Sequence, residues 1–198
     1  MAKKKPKAAT PPPVDYEAPK KVKKNRKVVI EEGTWTVFLL HRKASSGNRN
    51  CDHVLDIGIG CGTFINRLRI PAYGYDINPV AVSWLKEREI YCNPYENIPG
   101  EVDGLTLWDV LEHIPNPDDL LDLVPSGMHV ITSIPIFPDL QKLQESKHYK
   151  KNEHYLYFSE NGLYIYMEDM GFRLQEKSYQ ETKIGRESIM TFVFQKGH

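Results

Sequence analysis

No stretch of the chain approaches the roughly 18 consecutive apolar residues that a membrane-crossing helix needs, so no membrane partner is expected. Cysteine is scarce. The three present, Cys51, Cys61 and Cys92, stand far apart and show no CxxC spacing. Such a set builds no disulfide framework and points to free thiols in a reducing compartment, with the cytoplasm as the expected location. The basic N-terminus is not followed by an apolar segment, so it does not read as a secretory leader. Net charge is missing too, with 26 Lys and Arg against 26 Asp and Glu.

That balance hides an asymmetry. Residues 1–28 hold ten Lys or Arg and two acids, which leaves sixteen basic and twenty-four acidic residues in 29–198. The first segment is thus net basic by eight charges and the remainder net acidic by eight. Residues 1–27 read as a disordered Pro/Lys-rich tail, and 28–198 as one folded domain. The tail has too few apolar side chains to offset the entropy of ordering it. Two uses fit it: an electrostatic arm for nucleic acid, or a solubilising extension of an acidic body. Apart from Tyr16, no aromatic is interleaved with its lysines to stack on bases.

From residue 50 onward, strand and helix signals alternate. Short apolar runs at Val54–Ile57, Ala72–Tyr75, Leu105–Trp108 and His129–Ile134 read as buried parallel strands separated by helices. Asn78 followed by Pro79 starts one helix, and Asn116, Pro117, Asp118 and Asp119 repeat that logic. Ser159 caps another helix, with Leu163, Tyr166, Met167 and Met170 on one face and Gly171 as its left-handed stop. Phe172–Tyr179 and Ser188–Gln195 are too close for a crossover helix and predict an antiparallel hairpin. The expected fold is α/β: a mostly parallel sheet with an antiparallel C-terminal hairpin and helices on both faces. The scaffold is short, because Tyr91–Val102 leaves little room for a full strand and helix. Residues 28–50 contribute a helix or a strand.

The central motif is Val54-Leu55-Asp56-Ile57-Gly58-Ile59-Gly60-Cys61-Gly62-Thr63-Phe64. Glycines at 58, 60 and 62 let the backbone turn tightly and approach a ligand closely. A dinucleotide fingerprint needs GxGxxG; here the third glycine comes one residue early. Asp56, two residues before Gly58, would repel a pyrophosphate but suits a cationic ligand.

This stretch resembles the D/E-x-G-x-G-x-G motif of class I, Rossmann-like S-adenosylmethionine-dependent methyltransferases. In that family the loop wraps the methionine and ribose end of the cofactor. Asp76, twenty residues after Asp56, matches the acid that accepts bonds from the ribose hydroxyls. Trp108-Asp109-Val110-Leu111-Glu112-His113 resembles the segment after the fourth strand of methyltransferases related to ubiquinone O-methyltransferases, where it lines the cofactor cleft. His148–Ser159 resembles the segment that covers their substrate mouth. The resemblance implies S-adenosyl-L-methionine as cofactor, held by Asp56, Gly58, Gly60, Gly62, Asp76, Asn78, Trp108 and Asp109.

Methyl transfer needs alignment of nucleophile, methyl carbon and sulfur, and a base only when the nucleophile carries a proton. His113, then His154 and His148, are the candidate bases, since histidine titrates near neutrality. Packing or backbone hydrogen bonds would equally explain any one of them. No metal is expected. The alternative is a divalent ion at Asp109, Glu112 and His113, whose i, i+3, i+4 spacing would gather them on one helical turn. Some relatives use Glu-x-x-Glu-His in this way; Asp109 shortens the first ligand here.

The leading expectation is methyl transfer to O or N of a small molecule. A second is a nucleic-acid methyltransferase, 2′-O or base, that uses the basic tail. Against an exocyclic-amine enzyme, Ser133-Ile134-Pro135-Ile136 stands where Asn/Asp-Pro-Pro-Tyr is expected. A third is a cofactor-binding regulatory or structural protein without turnover.

Overall fold

The computed structural model describes residues 51–197. The tail and the helix or strand expected within 28–50 therefore lie outside the described residues.

Among the described residues, six strands form one sheet: β1 (Val54–Ile57), β2 (Ala72–Tyr75), β3 (Gly104–Trp108), β4 (His129–Pro135), β5 (Phe172–Ser178) and β6 (Ile189–Lys196). Their order is β2-β1-β3-β4-β6-β5. The first four are mutually parallel, β6 runs antiparallel beside β4, and β5 antiparallel beside β6. The expected mixed sheet is therefore present. All four residues of β1 are buried, as are all but the first residue of β4. Central parallel strands covered on both faces must be apolar almost throughout, which explains the unbroken runs seen in the sequence.

Among the described residues, six α-helices surround the sheet: α1 (Thr63–Arg67), α2 (Pro79–Glu87), α3 (Asp118–Leu121), α4 (Leu140–Glu145), α5 (Glu160–Asp169) and α6 (Gln180–Lys183). Asn78 caps α2, its side chain accepting from the Val80 amide at 2.9 Å, with Pro79 at the first position. Ser159 caps α5 by accepting from Gly162 N–H at 3.0 Å. Leu163 and Met167 of α5 are buried, Tyr166 and Met170 pack against the same core, and Gly171 stops the helix at φ 81°. Asn116 does not cap α3: the residue before that helix is Pro117, with no side-chain cap. The two prolines there fix the entry, and α3 lasts one turn.

The segment after α2 is as short as expected. It pairs with β2 only through an isolated parallel bridge between Tyr91 and Gly74. The hairpin connection differs from a plain polar loop. It winds into the single turn α6, tied back where Thr182 donates to the Ile189 carbonyl at 2.7 Å.

From β1 the chain moves outward to β2, then returns across β1 to β3. The order reverses between β1 and β3, and the crevice beyond their C-terminal ends is where open α/β sheets bind ligands. Among the described residues, no helix is long and apolar enough to cross a membrane.

Gly74, paired with Asp56 across β1 and β2, tests the packing below that crevice. A Cβ there would lie 2.5 Å from Leu85 Cδ2, 2.9 Å from Ile59 Cγ2 and 3.0 Å from Ile65 Cδ1. Gly74→Ala should destabilise the fold by about 1–3 kcal/mol, as overpacked cores do. Gly100→Ala, whose Cβ meets nothing within 4 Å, should change it by less than about 0.5 kcal/mol. Equal denaturation midpoints for the two variants would contradict this packing.

Candidate active site

The glycine loop leaves β1 with Gly58, Gly60 and Gly62 at φ 71°, 55° and 74°. Only glycine adopts such a succession without strain. Gly58 is doubly constrained, because a Cβ there would lie 2.6 Å from Val110 Cγ2 of the segment after β3. Absence of a side chain is what lets the two strand ends approach. Asp76, at the end of β2, bridges the loop: one carboxylate oxygen accepts from Gly60 N–H at 3.0 Å and the other from Asn78 N–H at 2.8 Å.

A pocket of about 260 Å³ opens beyond β1, β3 and β4. Its walls are Asp56, Gly58, Ile59, Gly60, Cys61, Thr63 and Phe64 of β1 and the glycine loop, with Trp108, Asp109, Ser133, Glu181 and Arg186; Gly62, Asp76 and Asn78 lie outside this lining. Asp56 is 1% exposed, and Thr106 donates its hydroxyl to it at 2.7 Å. Burial pushes its pKa up to about 7, against the Thr106 bond, with Asp76 adding a smaller upward push. Trp108 packs edge-on against Phe64, ring centroids 5.2 Å apart.

Asp109 takes a left-handed conformation, φ 51°. This turns it out of the 3₁₀ turn Leu111–His113 that follows and into an ion pair with Arg186. Arg186 also holds Glu181 at 3.1 Å. Both Arg186 and Glu181 come from the connection between β5 and β6, the turn of the predicted hairpin. Nothing in the local pattern marks Arg186; only the antiparallel return of β6 beside β4 brings it over the crevice. Ser133 was likewise read only as a strand end.

The alternative metal cluster, Asp109, Glu112 and His113 gathered on one helical turn, does not form. Asp109 precedes the turn with reversed backbone hand and is held by Arg186. Glu112 and His113 group instead with His154, with one ligand atom of each within 4.8 Å of the others. The rings of His113 and His154 meet edge to face at 4.5 Å. His113 Nδ1 lies 2.9 Å from the Glu153 carbonyl. His148 lies near both Asp109 and His154, so the three candidate histidines share one region. Burial lowers His148, and lowers His154 to about 4, keeping both rings neutral at pH 7. Burial raises Glu112 to about 8.

Asp76 and Asn78 stand beside the glycine loop, at its β2 side. The Asn78 oxygen is committed to capping α2, which leaves its amide nitrogen for other partners.

Three buried polar atoms of pocket residues, Trp108 Nε1, Asp109 Oδ1 and Ser133 Oγ, have no hydrogen-bond partner among the described residues. Buried polar groups are paired in the great majority of cases. Such a cluster along one pocket fits a polar ligand with both donors and acceptors.

A family model described as "Methyltransferase domain" matches residues 18–177. The chain belongs to that methyltransferase family. It is a methyltransferase with the Rossmann-like fold of the S-adenosylmethionine-dependent enzymes. No curated protein matches it by sequence. Among solved structures it is similar to a SAM-dependent methyltransferase from Methanosarcina mazei, with TM-score 0.56 and 15% identity, covering 78% of this chain and 96% of that one. It is similar also to magnesium protoporphyrin IX methyltransferase from Synechocystis with bound SAH, with TM-score 0.54 and 17% identity, covering 82% and 83%. A cyclase shares the fold as well, with TM-score 0.56 and 10% identity, covering 82% and 80%. At such identities the likeness speaks for the fold alone.

The raised Asp56 carboxyl carries a sign that can be tested. The native state keeps its proton at pH values where the unfolded chain has lost it. This contribution is therefore full below about pH 4 and fades as pH rises through about 7. Asp56→Asn stays neutral and still accepts from Thr106. The variant should melt a few degrees above wild type at about pH 8 and match it near pH 4, by thermal denaturation. A melting difference that does not change with pH would refute the buried-carboxyl account.

Proposed function

We propose that the pocket holds S-adenosyl-L-methionine and that the protein transfers its methyl group to O or N of a small-molecule acceptor. The observation carrying this reading is the pairing of a buried acid, Asp56, with a loop of left-handed glycines at the β1–β3 crossing, beside three unpartnered polar atoms. When bound, the cofactor supplies an electrophilic methyl on a cationic sulfur.

The chain's own residues then do the rest. Backbone amides of the glycine loop and the Asp56 carboxylate bind the methionine end, whose ammonium suits an acid held in low dielectric. Asp76 uses its remaining lone pairs for the ribose hydroxyls, with Asn78 beside it. Trp108 closes the pocket against water and aligns the ligand with its indole N–H. Asp109, pinned by Arg186, faces the acceptor side. His148 is the base in this reading: its ring is neutral, and its Nε2 is buried and unpartnered among the described residues. It takes the proton that an alcohol or amine loses as its lone pair forms the new bond to carbon and the carbon–sulfur bond breaks.

The domain is proposed to begin near residue 28, with the basic segment before it as an appendage; the family match itself reaches back to residue 18. That basic segment supports a second reading, in which nucleic acid is the acceptor. A third, binding without turnover, draws on the cyclase neighbour, since one fold hosts several chemistries.

Calorimetric titration separates these readings. S-adenosylmethionine should bind in the micromolar range and NAD should not. Asp76→Ala should lose about tenfold or more, the worth of a charge-assisted hydrogen bond. Affinity should fall below about pH 7 as Asp56 takes up its proton. RNA binding that weakens steeply with salt would favour the second reading. A folded protein with no affinity for S-adenosylmethionine would overturn the proposal.

A further inference from the structure

Glu112 is a carboxyl without a counter-charge in a place where one is expensive to leave alone. It is 1% exposed, its Oε2 has no hydrogen-bond partner, and no ion pair among the described residues includes it. The nearby cations are committed elsewhere: Arg186 to Asp109 and Glu181, and Lys150 to Glu153. Burying an uncompensated carboxylate costs several kcal/mol. His154 repeats the anomaly, being 7% exposed with an unpartnered Nδ1.

These atoms converge. One oxygen of Glu112 and one nitrogen each of His113 and His154 lie within 4.8 Å of one another. Their elements are fixed relative to one another. The Glu112 carbonyl accepts from Tyr155 N–H at 2.8 Å, which staples the 3₁₀ turn to the loop carrying His154. His113 Nδ1 is engaged by the Glu153 carbonyl at 2.9 Å. With the proton on Nδ1, that bond leaves Nε2 as a lone pair turned away from it, the arrangement that second-shell carbonyls impose on metal-binding imidazoles.

We propose that Glu112, His113 and His154 form a divalent transition-metal site beside the pocket. One carboxylate oxygen with two imidazole nitrogens suits Zn²⁺, or Co²⁺ and Mn²⁺ in its place, better than Mg²⁺ or Ca²⁺, which take oxygen ligands. Ligand bonds of about 2.0–2.2 Å require the three side chains to close by roughly an ångström. Three protein ligands leave a coordination position open, as catalytic zinc sites do. Asp109, three residues before Glu112, lines the pocket proposed for methyl transfer, which puts the site on the segment that leads out of that pocket. The inference that follows for the substrate rests on the methyltransferase reading: the acceptor is a hydroxyl compound whose oxygen would bind the ion, pass its proton to His148, and form the new bond to the methyl carbon as the carbon–sulfur bond breaks.

The test concerns the ion first and needs no turnover. Full-length protein carrying Cys61→Ser, to remove the exposed thiol as a competing ligand, is stripped with chelator and titrated with Zn²⁺ by calorimetry. Co²⁺ is added in parallel and its visible ligand-field bands are recorded. One equivalent should bind, with Co²⁺ bands of low-symmetry nitrogen and oxygen coordination. Glu112→Gln and His154→Ala should each weaken binding by at least about tenfold, while His53→Ala, at the opposite end of β1, leaves it unchanged. Zn²⁺ should raise the melting temperature of the parent and not of Glu112→Gln, which in chelator melts no lower than the parent. A Glu112 that merely served packing would lower stability with or without metal. Absence of Zn²⁺ binding to the folded chain, or binding kept within twofold in both ligand variants, would overturn the site and leave the methyl-transfer reading standing.

Discussion

A carboxyl group sealed inside a parallel sheet is the constraint on which the site depends. Asp56 occupies the third position of β1, where every neighbour in the strand is buried and apolar. One hydroxyl, from Thr106 on the adjacent strand, is its hydrogen-bond donor among the described side chains. The protein tolerates the resulting desolvation because the group lies one residue below the loop that faces the pocket. A positively charged ligand there restores in the bound state what folding removed. The three left-handed glycines follow from the same requirement. A backbone that must turn at once over a buried acid, and still meet Val110 from the next strand, has no room for side chains.

The second organising feature is the antiparallel return of β6. It places the last connection of the chain over the C-terminal end of β4 and delivers Arg186 and Glu181 to the pocket. Arg186 fixes Asp109, whose reversed backbone in turn redirects the chain into the 3₁₀ turn carrying Glu112 and His113. A hairpin far along the sequence thus shapes a segment some seventy residues earlier. In the proposed reading, the acceptor side draws on three separated pieces: the end of β3, the loop bearing His148 and His154, and the β5–β6 connection.

Legibility in the sequence followed the range of the forces involved. Strands β1 to β4 were readable because buried parallel strands leave continuous apolar runs, and α2 and α5 because Asn78 and Ser159 cap within three residues. The glycine loop and Asp76 were readable because their job is done by backbone conformation and by position at a strand end. Asp109 departs from the helical spacing because that spacing presumes helical backbone, whereas the residue has φ 51° and is ion-paired with a distant arginine. His154 is not grouped with Glu112 by any sequence spacing, because long-range backbone bonds such as Tyr155 N–H to the Glu112 carbonyl bring the two together. Arg186 carried no local signal at all.

Cofactor binding in the β1–β3 crevice can be read out at Trp108, which lines it. The chain has three tryptophans, and the Trp108 indole N–H is buried without a partner among the described residues. Nitrogen–proton correlation spectra, with the Trp108 indole signal assigned through Trp108→Phe, would follow that one group as S-adenosylmethionine is added. The account predicts a large shift of this signal that saturates together with calorimetric binding, as the indole gains an acceptor. Saturated binding that leaves the Trp108 signal in place would put the cofactor somewhere else on the molecule.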